Sequence, residues 1–524
     1  MHRGEVGSPL VTASRAGHAG RTKDSGEGTA HRRGRLAGWL GVRRITATFA
    51  VLGLLLAGAS GAQATPADGP VPPGPVALDD PEFTANVMAP LKVTDWATFE
   101  ADLETVAAYG VDAVSVDVWW GDVEGVADNQ FDWSYYDQVF DVITSKGLDL
   151  APILSFHQAG GNVGDDYTSL LPSWLWAKYA EVTYRGIELG PTGLQHQSEQ
   201  GNHSTESVQG WADQLVMDEY RDFTEAFEQQ YGDVYADEVI EVNVSLGPSG
   251  ELRYPSYNQH DEGTGYPTRG ALQAYSPLAV QDLRSHLLHR YGSLPAVNAA
   301  WGTDLASVQE IGPPADADAF FAGLDYLDTQ YGRDFVDWYN GSLVEHGERV
   351  LWAVIDALGE DFPEADIGYK VPGIHWSMTN PAHPRATEVT TGLIQTSTDL
   401  DSWKTGHGYQ RVVELANRFD GGPREVVMHF TALEMDDDPG EPAYSLAQTL
   451  VGWIGDYAYR AGVELKGENA LAGGVGSDEG WDNINEAFET WGYLGLTVLR
   501  VGDVSSGIGA GRYAELIATY SPDM

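Results

Sequence analysis

The chain has 524 residues, 42% of them hydrophobic and 20% charged, enough for one large core or for two domains of ordinary size. Its formal charge is −47 and it has no cysteine, which excludes thiol catalysis, cysteine-bound metals and disulfides. An acidic surface of this strength repels nucleic acid and anionic membranes, and it suits solubility, a neutral substrate or a salty medium.

At the N-terminus a basic stretch with Arg32, Arg33, Arg35, Arg43 and Arg44 precedes an apolar run from Ile45 to Leu56 and then Ala62-Gln63-Ala64. That order is a secretory signal with an A-x-A cleavage site. The run is too short for a membrane span, and small residues and prolines follow it instead of a charged stop. Arg43-Arg44 also has the form of a twin-arginine signal, although arginine pairs are common in basic leaders. Residues 1–64 are therefore expected to be removed and the mature protein, from near Thr65, to be secreted and free of the membrane. They carry nine Lys or Arg against three Asp or Glu, so their removal takes the formal charge from −47 to −53. Pro66, Pro70, Pro72, Pro73 and Pro75 predict an extended linker over 65–82. The catalytic region is expected over 83–524.

From Phe83 onward short apolar runs alternate with amphipathic stretches, the pattern of repeated β-α units. The predicted strands are Ala85 to Met88, Ala113 to Val118, Leu148 to Ser155, Val239 to Ser245, Ile367 to Val371, Val426 to Phe430, Val463 to Lys466 and Leu494 to Leu499. Between the first two, Phe99, Leu103, Val106 and Ala107 repeat at helical spacing, and Gly110 would end that helix. Eight such units fit an α/β fold of the (β/α)₈ TIM-barrel type, while periodicity alone would equally describe an open doubly wound sheet. Long segments after Ser155 and Tyr257 leave room for the loops that build the active face of a barrel. After Arg500 only 24 residues remain, too few for a further domain.

Two motifs follow predicted strands and carry carboxylates. Gly247-Pro248-Ser249-Gly250-Glu251-Leu252-Arg253-Tyr254-Pro255-Ser256-Tyr257 follows the fourth, and Lys466-Gly467-Glu468-Asn469-Ala470-Leu471 the seventh, with Glu468 standing 217 residues after Glu251. Strand C-termini are where a barrel places catalytic groups, and glycoside hydrolysis needs two carboxyls, one to protonate the leaving oxygen and one to activate water or attack carbon. Arg253 and the tyrosines beside Glu251 would orient the acid and a sugar. By spacing alone the pair is weak evidence, because 77 acidic residues supply many such pairs.

The eleven residues from Gly247 to Tyr257 resemble the signature around the general acid of the β-amylases, glycoside hydrolase family 14. His157-Gln158-Ala159-Gly160-Gly161-Asn162-Val163-Gly164-Asp165 resembles the family's other signature, and the likeness continues in the same order. It runs through Val116-Asp117-Val118-Trp119-Trp120-Gly121, Lys370-Val371-Pro372-Gly373-Ile374-His375-Trp376, Phe430-Thr431-Ala432-Leu433-Glu434-Met435 and Glu468 to Leu471, ending near Arg500. The resemblance implies an inverting, exo-acting hydrolase of α-1,4-glucans such as starch and maltooligosaccharides, releasing β-maltose, with Glu251 as general acid and Glu468 as general base. It implies sugar contacts from Asp117, His157, Asp165, Lys370, His375, Thr431, Asn469, Ala470 and Arg500, a support role for Glu434, and a lid at Gly160 to Asp165. Trp119 and Trp120 would stack on sugar or pack the barrel, at least one of them in the core.

Glu124, Asp128, Asn129, Glu219 and Asp222 match positions that bind calcium in some bacterial relatives, so a structural calcium and no organic cofactor is the expectation. Ala159 and Ala432 stand where many relatives have cysteine. Rival readings are a barrel glycosidase with another glucan or a retaining mechanism, and a non-catalytic glucan-binding relative; the presence of both glutamates weighs against the second.

Overall fold

The computed structural model describes residues 83–161, 165–258, 260–378, 387–395, 400 and 402–521. The expected leader and linker, and Asn162-Val163-Gly164 at the centre of the glycine motif, lie outside the described residues. Eight strands close a barrel: β1 Thr84–Met88, β2 Ala113–Trp119, β3 Asp149–Ser155, β4 Glu241–Val244, β5 Asp366–Val371, β6 Val426–Phe430, β7 Leu465–Glu468 and β8 Gly495–Val498. Each is parallel to its neighbours in sequence, and β8 returns to β1 in the register Thr84↔Gly495 to Val87↔Val498. Closure decides between the two arrangements that periodicity left open. Strands such as Val426–Phe430 are buried throughout, as parallel strands covered on both faces must be.

The helices that return the chain between strands include α1 Trp96–Ala107, α2 Ser134–Thr144, α3 Asp213–Tyr231, α4 Gln330–Leu358, α5 Ala447–Ala461, α6 Asp478–Trp491 and α7 Gly507–Tyr520. In α1 the predicted face is the buried one: Phe99, Leu103 and Val106 pack inward, and Asp95 caps the first turn by accepting from Thr98 N at 3.1 Å. Each of those three side chains contributes ~1.5–3 kcal/mol through burial. Leu103→Ala would remove ~2–5 kcal/mol.

Strand seven begins later than its apolar run. Gly462, at φ 70°, closes α5 in a left-handed turn, and Val463 N still bonds back to Ala458 O at 3.0 Å. The strand therefore starts at Leu465 and carries Glu468 at its last position. Strand four is likewise shorter than predicted, with Val239 making only an isolated bridge to Leu150.

Both long segments carry extra helices. The one after β3 holds a short helix, Ser173–Tyr179, and α3, and the one after Tyr257 holds helices Pro277–Tyr291 and Leu294–Trp301 before α4. Of the two tryptophans, Trp120 packs among Phe156, Trp174, Tyr220 and Phe223, with ring centroids 5.6–6.3 Å away. Trp119 is also buried, but its ring faces the cavity at the strand ends.

Candidate active site

Beyond β4 the chain turns sharply and lays Glu251 beside the end of β5, where it bridges Lys370 while Leu252 N donates to Lys370 O at 2.8 Å. The turn needs its glycines. At Gly247 a Cβ would lie 2.6 Å from the carbonyl oxygens of both Glu251 and Arg253, and Gly250 has φ 80° with the His157 ring 3.3 Å from where a Cβ would stand. Arg253 Nε donates to Glu251 Oε2 at 2.7 Å, its Nη2 reaches Ser249 Oγ at 3.1 Å, and its guanidinium lies 4.2 Å over the Tyr257 ring. One oxygen of Glu251 is thereby fixed.

Glu468 ends β7 on the other side of the opening, and the Lys370 ammonium donates to its Oε1. Glu434 supports the loop behind it, accepting from Ala470 N at 2.9 Å and Leu471 N at 2.8 Å. Asn469 ties the ends of β7 and β8 by donating to Leu499 O at 3.1 Å and accepting from Leu499 N at 2.8 Å. Thr431 Oγ1 accepts from Gly373 N at 2.9 Å.

A cavity of about 270 Å³ lies between the two glutamates. Its walls also hold Asp117, His157, Asp165, Lys370, Thr431, Asn469, Ala470 and Arg500, so the fold gathers these expected positions from strands far apart in sequence. His375 is not in this lining. Its Nδ1 pairs with Ser445 Oγ at 2.7 Å, and its ring packs 5.3 Å from Trp376 and 6.2 Å from Tyr266, beside a second cavity that shares Gln158, Gly160, Ser249 and Tyr257 with the first. Sequence reasoning missed Met88, Leu91 and Leu499, apolar wall residues that no chemical motif marks.

Burial sets the charge states. It pushes the His157 imidazole down to about 3, with help from the nearby Arg253 and Lys370 cations, while Nδ1 pairs with Ser245 Oγ at 2.8 Å. His157 is therefore a neutral hydrogen-bonding group at any ordinary pH. Burial also pulls Lys370 down to about 8 against the opposing carboxylates of Asp117, Glu241 and Glu251. Asp117 is raised by burial, partly offset by Arg500, whose Nη1 is 3.9 Å away, and by Ser155 Oγ at 3.0 Å.

The expected calcium ligands form a different arrangement. Glu124 accepts from Trp120 Nε1 and Asn129 N, both at 2.6 Å, and Asn129 Nδ2 donates to Asp128 Oδ1 at 3.0 Å. The Lys178 ammonium lies 2.6 Å from Asp128 Oδ2 and 2.6 Å from Glu219 Oε1, to which Tyr179 also donates. Asp222 follows on the same helix as Glu219 and takes no part in these bonds. Among the described residues no three His, Asp or Glu side chains are placed to hold a metal ion. As placed, the five positions do not fit calcium, because the Lys178 ammonium stands between Asp128 and Glu219 and protein donors hold both oxygens of Glu124 and of Asp128.

The model of the family described as glycosyl hydrolase family 14 matches residues 86–517. A β-amylase of Niallia circulans is 39% identical over 431 residues, covering 82% of this chain and 68% of the relative. One from Bacillus cereus is 37% identical over 429 residues, covering 81% and 72%. The crystal structure of the catalytic domain of β-amylase from Paenibacillus polymyxa superposes with a TM-score of 0.72 at 36% identity, covering 84% of this chain and 98% of that one. With two carboxylates facing one cavity at the top of a closed barrel, and a family match that spans both of them, this chain belongs to glycosyl hydrolase family 14.

Proposed function

We propose that the protein is a secreted, exo-acting hydrolase that removes maltose from the non-reducing ends of α-1,4-glucans with inversion at the anomeric carbon. The observation that carries this reading is the placement of Glu251 and Glu468 on the walls of one cavity with unequal partners. Glu251 lends Oε2 to Arg253, which leaves Oε1 to face the glycosidic oxygen. As general acid it protonates that oxygen, and Arg253 then stabilises the carboxylate left behind. Glu468, which accepts from the Lys370 ammonium, acts as general base on a water that attacks the anomeric carbon from the opposite face.

Asp117, Asp165 and Arg500 present polar donors and acceptors to sugar hydroxyls, and neutral His157 adds another without changing charge. Met88, Leu91, Trp119 and Leu499 supply apolar wall, the mixture that a sugar with polar edges and apolar faces requires. Export is supported by the leader-like order of Arg32 to Ala64. Among the described residues no helix is long and apolar enough to cross a membrane.

Digestion of soluble starch followed by NMR of the anomeric proton before mutarotation tests the reading. The expected first product is β-maltose alone. α-Maltose would overturn inversion and both glutamate roles, and an early ladder of oligosaccharides would overturn exo action. N-terminal sequencing of protein from the culture medium checks export, with Thr65 as the expected first residue.

A further inference from the structure

The cluster on the loop after β2 contains a cation of its own. Lys178 lies in the last turn of the helix Ser173–Tyr179, where the end of the helix favours positive charge. Its ammonium stands 2.6 Å from Asp128 Oδ2 and 2.6 Å from Glu219 Oε1, with the Trp174 ring 5.4 Å away. It therefore joins three separate segments: the loop carrying Glu124 to Asn129, the short helix, and α3. A structural divalent ion does the same work when it binds carboxylates from different parts of a chain.

The oxygens nearest the ammonium are already engaged. Glu124 accepts at both of its oxygens, Asp128 Oδ1 accepts from Asn129 at 3.0 Å, and Glu219 takes the Tyr179 hydroxyl as well as the ammonium. A calcium ion placed here would have to expel Lys178 and break several of these bonds. The neighbouring Asp122 extends the same loop toward the rim of the active site, accepting from Tyr167 OH and Ser169 Oγ, both at 2.7 Å. What fixes this loop thus also steadies the segment that follows the glycine motif.

We propose that the Lys178 ammonium takes the place of a structural divalent cation, so that the folded protein is independent of calcium. Side-chain charge replaces metal charge at Asp128 and Glu219, and it needs no free ion to do so.

Thermal melting of the full chain in EDTA and in millimolar calcium chloride, with calcium titration by calorimetry, tests this. The wild-type melting temperature is expected to be the same in both media, with no stoichiometric calcium binding. Lys178→Gln removes the cation and should melt several degrees lower in EDTA, with calcium restoring much of the loss. Lys178→Arg keeps the charge and should remain indifferent to calcium. A wild-type protein that melts lower in EDTA, or that binds one calcium per chain, overturns the proposal. So does a Lys178→Gln variant as stable in EDTA as the wild type. If Lys178→Gln fails to fold, the wild-type melts and titration still decide the question.

Discussion

Glu241 and Glu468 are both almost wholly buried in the barrel, 1% and 3% exposed, and each faces a lysine, yet their surroundings differ. Glu241, at the start of β4, lies 2.7 Å from His429 Nε2 and accepts from Lys466 Nζ at 2.8 Å and Asn243 Nδ2 at 2.7 Å. Burial alone would raise its carboxyl, but His429 and Lys466 outweigh that and hold it well below the usual range. Lys466 is in turn held above the ordinary lysine range, since Glu241 and Glu464 overcome its burial. Glu468 faces a cavity, and its partner Lys370 is pulled the other way, down to about 8. A carboxylate-lysine pair closed off by protein groups fastens strands together; one left open to a cavity keeps bonding capacity for a substrate.

Breaking the open side should have the largest effect. Loss of a positioned acid or base typically costs ~10²–10⁴ in rate. Glu251→Gln is expected to lose that much on starch while keeping more activity on a maltosyl substrate whose leaving group departs without a proton. Glu468→Gln should damage both reactions, because each needs activated water. Steady-state kinetics on the two substrates separate the roles, and equal loss in both variants on both substrates would contradict the division.

Breaking the closed side should cost stability instead of chemistry. Glu241→Gln leaves Lys466 buried without its main counter-charge, a change worth ~3–5 kcal/mol. Urea denaturation should show that loss, while kcat of the folded fraction stays within about twofold of wild type. A large fall in kcat with unchanged stability would mean that the two clusters work as one unit.

A third comparison sets histidine in the wall against histidine in the site. Burial lowers His196 to about 3, with His346 adding to the effect, and its ring packs edge-on to Trp211 and Tyr254 at 5.9 and 5.6 Å. A folded-state value below the unfolded one means that stability is present above about pH 6.5 and is lost as pH falls toward 3, at up to ~1.4 kcal/mol per pH unit for one such group. His196→Phe keeps the ring and removes the titration, so its urea midpoint should fall less steeply on acidification than that of wild type. Parallel slopes would mean that His196 does not carry the acid sensitivity.

Much of this was legible where local chemistry and periodicity agree. The face of α1 could be read because Phe99, Leu103 and Val106 fall at helical spacing, and the strands because parallel strands are apolar on both faces. The start of β7 could not, because Val463 is apolar enough for a strand but is consumed by the end of α5. Glu251 and Glu468 stood out only within longer motifs, since carboxylates are common in so acidic a chain. Lys178 was invisible for a plainer reason. A lysine in an amphipathic stretch carries no mark of its partners, and Asp128 and Glu219 reach it from segments 50 and 41 residues distant in sequence.

The smallest expected effect concerns the lysine that distinguishes the open pair. Lys370 loses its proton as pH rises through about 8, and with it the charged donor that faces Glu468, Asp117 and Glu251. The rate of hydrolysis is a poor place to look for this, because the general acid must also be protonated and both requirements act in the same direction. Equilibrium binding of maltose avoids the difficulty, since no proton is transferred to a leaving group. Calorimetric affinity should be flat below pH 7 and weaken by about a factor of two near pH 8, where half of the lysines are neutral, if binding needs the ammonium. Lys370→Met should bind more weakly at every pH and lose the dependence, whereas Lys466→Met should leave it unchanged, because that lysine belongs to the closed cluster. An affinity that stays level to pH 9 in the wild type would show that Lys370 is held charged by the free site, and that its ammonium serves Glu468 more firmly than its burial suggests.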